Sequence, residues 1–328
     1  MNILVTGGAG YIGSHIVKSL SETEHKVVVL DNLVKGHKEA VMDSEFIYGD
    51  LEDKRLLDRI MKNYDIEGVI HLAAYSIVSE SMEEPGKYYL NNVCNGLNLL
   101  EAMVNNGVKY IIFSSTAAVC GEPEKVPITE DHPTKPTNIY GETKFFFERM
   151  LDRYSQIYGL SYISLRYFNA AGADPSGKIG EDHNPETHLI PIILQKVLGR
   201  REKLYIFGDN YSTRDGTCIR DYIHVNDLSK AHLLSIDALA DGIGSRIYNL
   251  GNGEGFSVKE VVKTASEVVG REIKAEIRGR RLGDPEVLVA NPKKIKEELG
   301  WIPEYPELRT IIKTAWDWHK RGGFGANT

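Results

Sequence analysis

A tyrosine and a lysine four residues apart form the pair in this sequence best suited to acid–base chemistry. The chain has 17 tyrosines, and Tyr140 is the only one with a lysine, Lys144, at the fourth following position. Residues at this spacing share one face of a helix, so the ammonium group can lie close to the phenol. A phenol normally has a pKa of about 10, and a neighbouring cation lowers that value. The pair therefore predicts a tyrosine that acts as a base near neutral pH.

Three hydroxyl side chains lie upstream of this pair. Ser114, Ser115 and Thr116 follow an apolar run that predicts a strand. Because ligands bind at the carboxyl ends of strands in an open α/β sheet, Thr116 is a candidate catalytic hydroxyl. Without other catalytic residues, a Ser-Ser-Thr sequence at a strand end would be interpreted as capping hydroxyls. The nearby Tyr140 and Lys144 favour catalysis.

A glycine-rich turn near the N-terminus predicts a nucleotide site. Gly7, Gly10 and Gly13 lie between a predicted strand, Ile3–Val5, and a predicted helix, Tyr11–Ser21. Such glycines let the backbone approach a pyrophosphate closely, and the helix N-terminus attracts its negative charge. The alternative, a simple glycine loop, explains neither the preceding strand nor the following helix.

Two acidic residues at later strand ends extend this site. Asp31 ends the second predicted strand, where a carboxylate binds a ribose 2′-hydroxyl and repels a 2′-phosphate. This residue favours NAD over NADP. Asp50 and Leu51 follow the third strand and could meet the adenine, although an aspartate there could equally be a turn or cap residue.

Strands and helices alternate along the first half of the chain, which predicts an α/β fold with a Rossmann-like, doubly wound parallel sheet. The predicted strands are Ile3–Val5, Lys26–Leu30, Phe46–Tyr48, Gly68–Leu72, Tyr110–Ser114 and Tyr162–Arg166. The predicted helices of this half are Tyr11–Ser21, Asp53–Asn63, Tyr88–Asn106 and Tyr140–Tyr158. We predict a cofactor-binding domain at residues 1–170.

The second half of the chain is more irregular. Residues 171–188 are rich in turn-forming residues and predict a loop. Further helices are predicted at Leu189–Leu198, Val225–Leu239, Ser257–Val269 and Leu308–Lys320, with a strand at Leu204–Phe207. We predict a smaller α/β substrate domain at residues 171–328, with some later segments returning to pack on the first domain.

Composition excludes several classes of function. The net charge is −7 and no basic stripe is present, so nucleic acid is not an expected partner. Cys94, Cys120 and Cys218 are too far apart for a paired motif, so neither a disulfide framework nor a metal is expected. No apolar run approaches the ~20 residues of a membrane span, and no signal peptide is evident. We expect a soluble, cytoplasmic protein.

The combined motifs resemble the extended short-chain dehydrogenase/reductase superfamily and, within it, the UDP-glucose 4-epimerase family. The resemblance covers residues 1 to about 320. It rests on the glycine turn, Thr116, the Tyr140–Lys144 pair, and five further motifs: Arg166–Gly172, Gly180–Asp182, Asp215–Val225, Tyr248–Gly253 and Arg280–Asp284. It implies NAD as a tightly bound cofactor, Tyr140 as the base for the sugar 4-hydroxyl, and return of hydride to the opposite face of a 4-keto sugar.

The resemblance also implies binding residues. For NAD these are Gly7, Gly10, Tyr11, Ile12, Gly13, Asp31, Asn32, Asp50, Leu51, Leu72, Ala73, Ala74, Asn92, Tyr140, Lys144 and Phe168. For the UDP-sugar they are Thr116, Tyr140, Asn169, His188, Leu189, Arg220, Arg281, Asp284 and Leu288. Without the resemblance, burial explains Phe168 and Leu72 better, and each arginine would be a surface charge.

The chain departs from the family pattern at several positions. Thr116 replaces a serine but keeps the hydroxyl, Cys120 replaces a tyrosine, and Ser76 replaces a lysine that contacts NAD in some members. His188 replaces an asparagine facing the sugar, or is a structural loop histidine. Leu288 stands where some members carry a large tyrosine, so we hypothesise that N-acetylated UDP-sugars are also accepted.

Other functions of this superfamily are alternatives to epimerisation. Dehydratases and decarboxylases of this superfamily carry acidic residues near the catalytic hydroxyl, whereas Ala117 and Ala118 follow Thr116 here. An NAD-binding regulator without activity would not need the Tyr140–Lys144 pair. A simple dehydrogenase would exchange free NAD. The resemblance also implies a homodimer built on Tyr88–Asn106 and Tyr140–Tyr158, although their apolar stripe could equally face the sheet.

Overall fold

The strands of the chain are defined by a computed structural model that describes residues 1–281 and 284–327. Leu282 and Gly283, within the predicted Arg280–Asp284 motif, lie outside the described residues. The strands are β1 (Asn2–Thr6), β2 (Lys26–Asp31), β3 (Glu45–Tyr48), β4 (Gly68–His71), β5 (Tyr110–Thr116), β6 (Ser161–Tyr167), β7 (Asn169–Ala171), β8 (Tyr205–Phe207), β9 (Ile219–His224), β10 (Arg246–Leu250), β11 (Gly255–Ser257), β12 (Glu276–Arg278) and β13 (Val287–Leu288).

Helices connect most of these strands. They are α1 (Tyr11–Ser21), α2 (Lys54–Asn63), α3 (Val78–Glu83), α4 (Pro85–Tyr88), α5 (Asn95–Asn105), α6 (Ile139–Tyr158), α7 (Leu189–Val197), α8 (Val225–Ala240), α9 (Val258–Val269), α10 (Lys293–Leu299) and α11 (Leu308–Lys320). Short 3₁₀ helices occupy Lys38–Val41, Ala117–Cys120 and Gly323–Asn327. Among the described residues, no helix is long and apolar enough to cross a membrane.

Seven parallel strands form the main sheet in the order β10-β6-β5-β4-β1-β2-β3. One face is covered by α1 and α8, whose apolar side chains join one core cluster. The other face is covered by α2, α5 and α6, which form a second cluster. Coverage of both faces explains why β1, β2 and β4 are continuous apolar runs. The predicted doubly wound parallel sheet is confirmed.

The order of strands places a ligand crevice at one edge of the sheet. The chain runs outward from β1 to β3 on one side and from β4 to β6 on the other, so the direction reverses between β1 and β4. Loops leaving the carboxyl ends of these two strands therefore diverge and open a crevice. The glycine turn follows β1, and Leu72–Ala74 follow β4.

Strand β10 was not predicted from the sequence. It adds in parallel to β6 at the edge of the main sheet, although it comes from the second half of the chain. A three-strand path, β11-β9-β13, with β7 paired to β9, forms a second sheet, and β8 pairs with β12. Helices α7, α9 and α11 share an apolar cluster with Tyr222 of β9 and Ile206 of β8.

The predicted continuous helix Tyr88–Asn106 is divided in the structure. A π-helical turn, Tyr89–Cys94, separates α4 from α5. Such turns insert one residue per turn beyond the α-helical count and reorient the local side chains. Asn92, inside the turn, is buried and bonds through its amide to the main-chain N–H and C=O of Tyr75, at 2.9 and 3.0 Å. The irregular turn thus fixes the loop that follows β4.

Candidate active site

Helix α6 begins at the carboxyl end of β5 and carries the predicted base near its first turn. The side chain of Asn138 caps the helix by accepting a hydrogen bond of 2.8 Å from the N–H of Gly141. Gly141 packs so closely that an added Cβ would lie 2.6 Å from the oxygen of Ala118. This contact sets α6 directly against the segment that follows Thr116.

Lys144 is buried beneath this helix, with 3% of its surface exposed. Its Nζ donates a hydrogen bond of 2.8 Å to the main-chain oxygen of Ser114. The same Nζ lies 4.9 Å from the ring centre of Phe113 and 5.9 Å from that of Tyr140. Burial disfavours the ammonium form and lowers the pKa of Lys144 to about 7.

The pKa of Tyr140 departs from the direction predicted from the sequence. Burial raises the pKa of this phenol to about 12, and a hydrogen bond with Thr116 opposes only part of that rise. Lys144 offers little help, because its amine is directed to a carbonyl and its own charge is disfavoured by burial. Without further positive charge, Tyr140 therefore keeps its proton at neutral pH.

The glycine turn adopts a conformation that other residues would disturb. Gly7 has a φ of +74°, and a Cβ there would lie 2.6 Å from the nitrogen of Ala73. A Cβ on Gly13 would lie 2.2 Å from the oxygen of Gly7. Gly10 is the N-cap of α1 and makes no side-chain cap, which leaves the first turn open to a ligand. Because no side chains intervene, the main chain of this turn can lie close to a pyrophosphate.

Asp31 supports this turn from the end of β2. Its carboxylate accepts hydrogen bonds from the N–H groups of Ala9, at 3.0 Å, and Leu33, at 2.8 Å. Burial raises the pKa of Asp31, while these bonds oppose the rise. Nearby, the amide of Asn32 donates to Asp50 at 2.7 Å. The predicted ribose and adenine residues therefore already form one connected network.

These elements enclose a cavity of about 460 Å³. Most of the predicted site residues line it: Gly7, Gly10, Tyr11, Ile12, Gly13, Asp31, Asn32, Asp50, Leu51, Leu72, Ala73, Ala74, Thr116, Tyr140, Lys144, Phe168, Asn169 and His188. Asn92 does not line it and instead holds Tyr75, which does. The cavity thus joins the glycine turn to the Tyr140–Lys144 pair in one continuous space.

Comparison with known proteins identifies the family of this chain. The model of the NAD dependent epimerase/dehydratase family matches residues 3–251. The chain belongs to this family. It is 55% identical to the UDP-glucose 4-epimerase of Halalkalibacterium halodurans, over 100% of this chain and 98% of that protein. The sequence-based resemblance is therefore confirmed.

Solved structures agree with this membership of the epimerase/dehydratase family. The Brucella ovis UDP-glucose 4-epimerase in complex with NAD is 46% identical, with a TM-score of 0.94 over 96% of this chain and 97% of that one. The UDP-Glc/GlcNAc 4-epimerase of Campylobacter jejuni is 42% identical, with a TM-score of 0.86 over 98% and 99%. This epimerase/dehydratase family member is an NAD-dependent enzyme, and the glycine turn described above fits that cofactor.

The remaining predicted sugar-nucleotide residues of this family member lie outside the cavity. Arg220 on β9 donates from Nη2 to Asp284 at 2.5 Å. The guanidinium of Arg281 lies 3.8 Å from the ring centre of Phe207. Leu189 is the first residue of α7. Leu288, on β13, lies in register with Arg220 and belongs to a small apolar cluster: Val119, Cys120, Ile128, Phe145 and Phe168.

Sequence patterns gave no signal for several residues that position the site. The hydroxyl oxygen of Ser81 on α3 accepts a hydrogen bond of 3.1 Å from the N–H of Tyr140. Glu80 of the same helix lines the cavity and pairs with Lys87 at 2.8 Å. These residues lie far from Tyr140 in the sequence and carry no motif. Only the packing of α3 against α6 brings them together.

Proposed function

We propose that this chain is a UDP-glucose 4-epimerase, which interconverts UDP-glucose and UDP-galactose with tightly bound NAD. One observation carries the proposal: Thr116, Tyr140 and Lys144 line the same cavity as the glycine turn and Asp31. Full-length similarity to proteins of that name supports it. The assignment of individual roles below is part of this proposal.

The glycine turn and the N-terminus of α1 would hold the cofactor pyrophosphate, and Asp31 would hold the adenosine ribose. Asn32, Asp50 and Leu51 would contact the adenine, and Lys144 would contact the second ribose. When bound, NAD would supply a hydride acceptor for the sugar C4 and positive charge beside the Tyr140 phenol. Asp31 disfavours a 2′-phosphate, which selects NAD over NADP.

Tyr140 is the general base for the sugar 4-hydroxyl. Its phenolate takes the hydroxyl proton as C4 becomes a ketone, and returns the proton when C4 is reduced. Thr116 orients the hydroxyl and shares its proton with Tyr140. Because burial raises the pKa of Tyr140 to about 12 and the amine of Lys144 is directed to a carbonyl, the phenolate needs positive charge from the occupied cofactor site.

The surroundings of Thr116 favour epimerisation over elimination. Ala117 and Ala118 form the 3₁₀ turn that follows it and supply no acid or base. Dehydration would require further proton transfers at neighbouring carbons, whereas inversion at C4 needs one base and one hydride acceptor. The chemistry available at this strand end is therefore sufficient for the epimerase reaction.

The nucleotide half of the substrate is assigned to the second part of the chain. We place the predicted substrate domain at residues 171–328, with Asn169 and Leu189 at its edge. Arg220 and Arg281 bind the diphosphate, since a guanidinium can bond two oxygens at once. Asp284 binds the uridine ribose, which requires its ion pair with Arg220 to rearrange on binding.

The wall of the sugar pocket supports a second substrate. Leu288 packs against the apolar cluster that contains Cys120, and Phe168, which lines the cavity, packs against the same cluster; a tyrosine at position 288 would take more space. The Campylobacter jejuni relative is named for both UDP-Glc and UDP-GlcNAc. We therefore include UDP-GlcNAc among the substrates, with His188 as a polar contact to the sugar.

We also propose that the protein forms a homodimer through α5 and α6. Helices α5 and α6 expose Leu97, Phe146 and Ile157, and the adjoining π-helical turn exposes Leu90. Large apolar side chains exposed on neighbouring elements are typical of an interface with another chain. A second copy of this chain packing through these helices would remove them from water.

Incubation of purified protein with UDP-glucose, and separately with UDP-GlcNAc, tests the function. No NAD is added, and C4 epimers are separated by chromatography. Conversion of UDP-glucose is the expected result, and it would exclude a simple dehydrogenase that depends on free cofactor. Bound NAD without conversion of either sugar would contradict the proposal and favour a regulator or another nucleotide-sugar.

A further inference from the structure

Four potential metal ligands cluster in the segment between β7 and α7. Glu181, His183, Glu186 and His188 each offer one ligand atom, and these atoms all lie within 4.8 Å of one another. Nδ1 of His183 lies 3.1 Å from Oε1 of Glu181, and Nδ1 of His188 lies 2.5 Å from the same oxygen. Two imidazoles thus converge on one carboxylate.

The carboxylates of this cluster are buried with no Lys or Arg side chain paired to them in the part of the chain that the structure describes. Glu181 is 2% exposed and Glu186 is 7% exposed. Oε1 of Glu186 is held by the N–H groups of Thr187 and His188, at 2.7 and 2.8 Å. Its other oxygen, Oε2, has no hydrogen-bond partner among the described residues. Such an uncompensated buried oxygen is costly, and a bound cation would satisfy it.

We propose that Glu181, His183, Glu186 and His188 bind a divalent transition-metal ion, for which zinc is the best match. Two imidazole nitrogens and two carboxylate oxygens suit Zn²⁺ with four ligands. Bonds of about 2.0–2.2 Å in a tetrahedron put neighbouring ligand atoms about 3.3–3.6 Å apart. The cluster therefore needs only small side-chain shifts to close around an ion. This inference does not rest on the proposed epimerase activity, although it assigns the imidazole of His188, proposed above as a sugar contact, to the ion.

The fold around the cluster supports a structural role for the ion. The indole N–H of Trp318, on α11, donates to the main-chain oxygen of Glu181 at 2.9 Å. His183 and His188 both line the cavity, and the His183 ring lies 6.1 Å from that of Tyr11 at the start of α1. An ion here would tie the loop before α7 to the mouth of the cofactor cavity.

An ion pair without metal is the competing explanation. Burial opposes a charge on His188, but Glu181 and Glu186 outweigh it and raise the pKa of His188 to about 10. A protonated His188 could then pair through Nδ1 with Oε1 of Glu181, 2.5 Å away, and with Oε1 of Glu186, 3.4 Å away. It would leave Oε2 of Glu186 without a partner, whereas a metal ion displaces the imidazole protons and uses both carboxylates.

The spacing of the cysteines alone predicted no metal site. The ligands instead follow the pattern E-x-H-x-x-E-x-H within eight residues, Glu181 to His188. His188 was interpreted as a sugar contact or a structural loop histidine. The convergence of His183 and His188 on Glu181 becomes evident only from the conformation of the loop.

Metal analysis of the full-length protein tests the proposal. The protein is treated with EDTA, incubated with ZnCl₂, freed of excess zinc, and analysed by mass spectrometry for metal per chain. About one equivalent of zinc and a higher melting temperature than the EDTA-treated form are expected. His183→Gln and Glu186→Gln should each lose the zinc, while His25→Gln, outside the cluster, should retain it.

Cobalt provides a second measurement that needs no variant. Co²⁺ in place of zinc should give the intense visible absorption of a four-coordinate ion. Protein that holds no zinc beyond that of the buffer would overturn the proposal, and so would cobalt protein with the weak spectrum of the hydrated ion. Full zinc retention by both His183→Gln and Glu186→Gln would overturn it as well.

Discussion

Nζ of Lys144 donates its hydrogen bond to the carbonyl oxygen of Ser114, 2.8 Å away, and so joins the first turns of α6 to the carboxyl end of β5. The bond directs the amine toward the strand rather than toward the Tyr140 phenol. Because burial lowers the pKa of Lys144 to about 7, the charge at this position changes within the neutral range. The site therefore depends on added positive charge to produce a phenolate.

Replacement of Lys144 by methionine should change how the folding stability of the nucleotide-free protein depends on pH. The folded pKa, about 7, is below the ordinary 10.5, so the unfolded chain binds more protons between these values. Stability of the wild type should therefore rise with pH across this window, by up to about 1.4 kcal/mol per unit. Lys144→Met should be stabilised relative to wild type most at pH 7, with the difference shrinking toward pH 10.5. Urea unfolding at several pH values measures this, and a constant difference would contradict it.

Replacement of Tyr140 by phenylalanine should remove the base while preserving the fold. The phenol bonds to the side chain of Thr116, and the N–H of Tyr140 keeps its bond to Ser81. Loss of general-base catalysis predicts a fall in kcat of at least about 100-fold. Turnover of UDP-glucose is the measurement, with Tyr48→Phe, an exposed tyrosine, as control. Activity within a few-fold of wild type in Tyr140→Phe would assign the base elsewhere.

Replacement of Asp31 by asparagine should weaken NAD retention and reduce discrimination against NADP. An amide accepts only through one oxygen, so one of the bonds from Ala9 and Leu33 would be lost together with the negative charge. We expect at least about a tenfold loss of NAD affinity, the equivalent of one charge-assisted bond. Nucleotide released on denaturation measures retention, and exposed Asp43→Asn is the control. Unchanged NAD retention would remove Asp31 from the cofactor site.

The sequence was most informative where local rules dominate. Long amphipathic helices, buried parallel strands and the glycine turn follow from periodicity and backbone geometry, and they were predicted within a few residues. Strand β10 joins the sheet from far along the chain, so no local strand–helix alternation places it beside β6. The pKa of Tyr140 was predicted in the wrong direction, because burial of both Tyr140 and Lys144 depends on tertiary packing.

Removal of the buried carboxylate of Glu148 should destabilise the protein. Glu148 on α6 accepts hydrogen bonds from Nε and Nη2 of Arg166, at 3.0 and 2.7 Å, and from the hydroxyl of Ser115, at 2.6 Å. Glu148→Ala leaves a buried, uncompensated guanidinium, which costs about 3–5 kcal/mol. Chemical unfolding measures the loss, with exposed Gln156→Ala on the same helix as control. A loss below that of the control would mean that water or another group satisfies Arg166.

Enlargement of Leu288 should separate the two proposed substrates. Leu288 packs against the same apolar cluster as Phe168, which lines the cavity, so under the proposed function Leu288→Tyr would fill space that an N-acetyl group needs. We expect conversion of UDP-GlcNAc to fall by at least about tenfold, the cost of a steric conflict of about 1.4 kcal/mol, while UDP-glucose is converted within a few-fold of wild type. Leu288→Met, which nearly conserves volume, should keep both activities. Equal effects of Leu288→Tyr on the two sugars would show that this position supports the fold of the pocket rather than its selectivity.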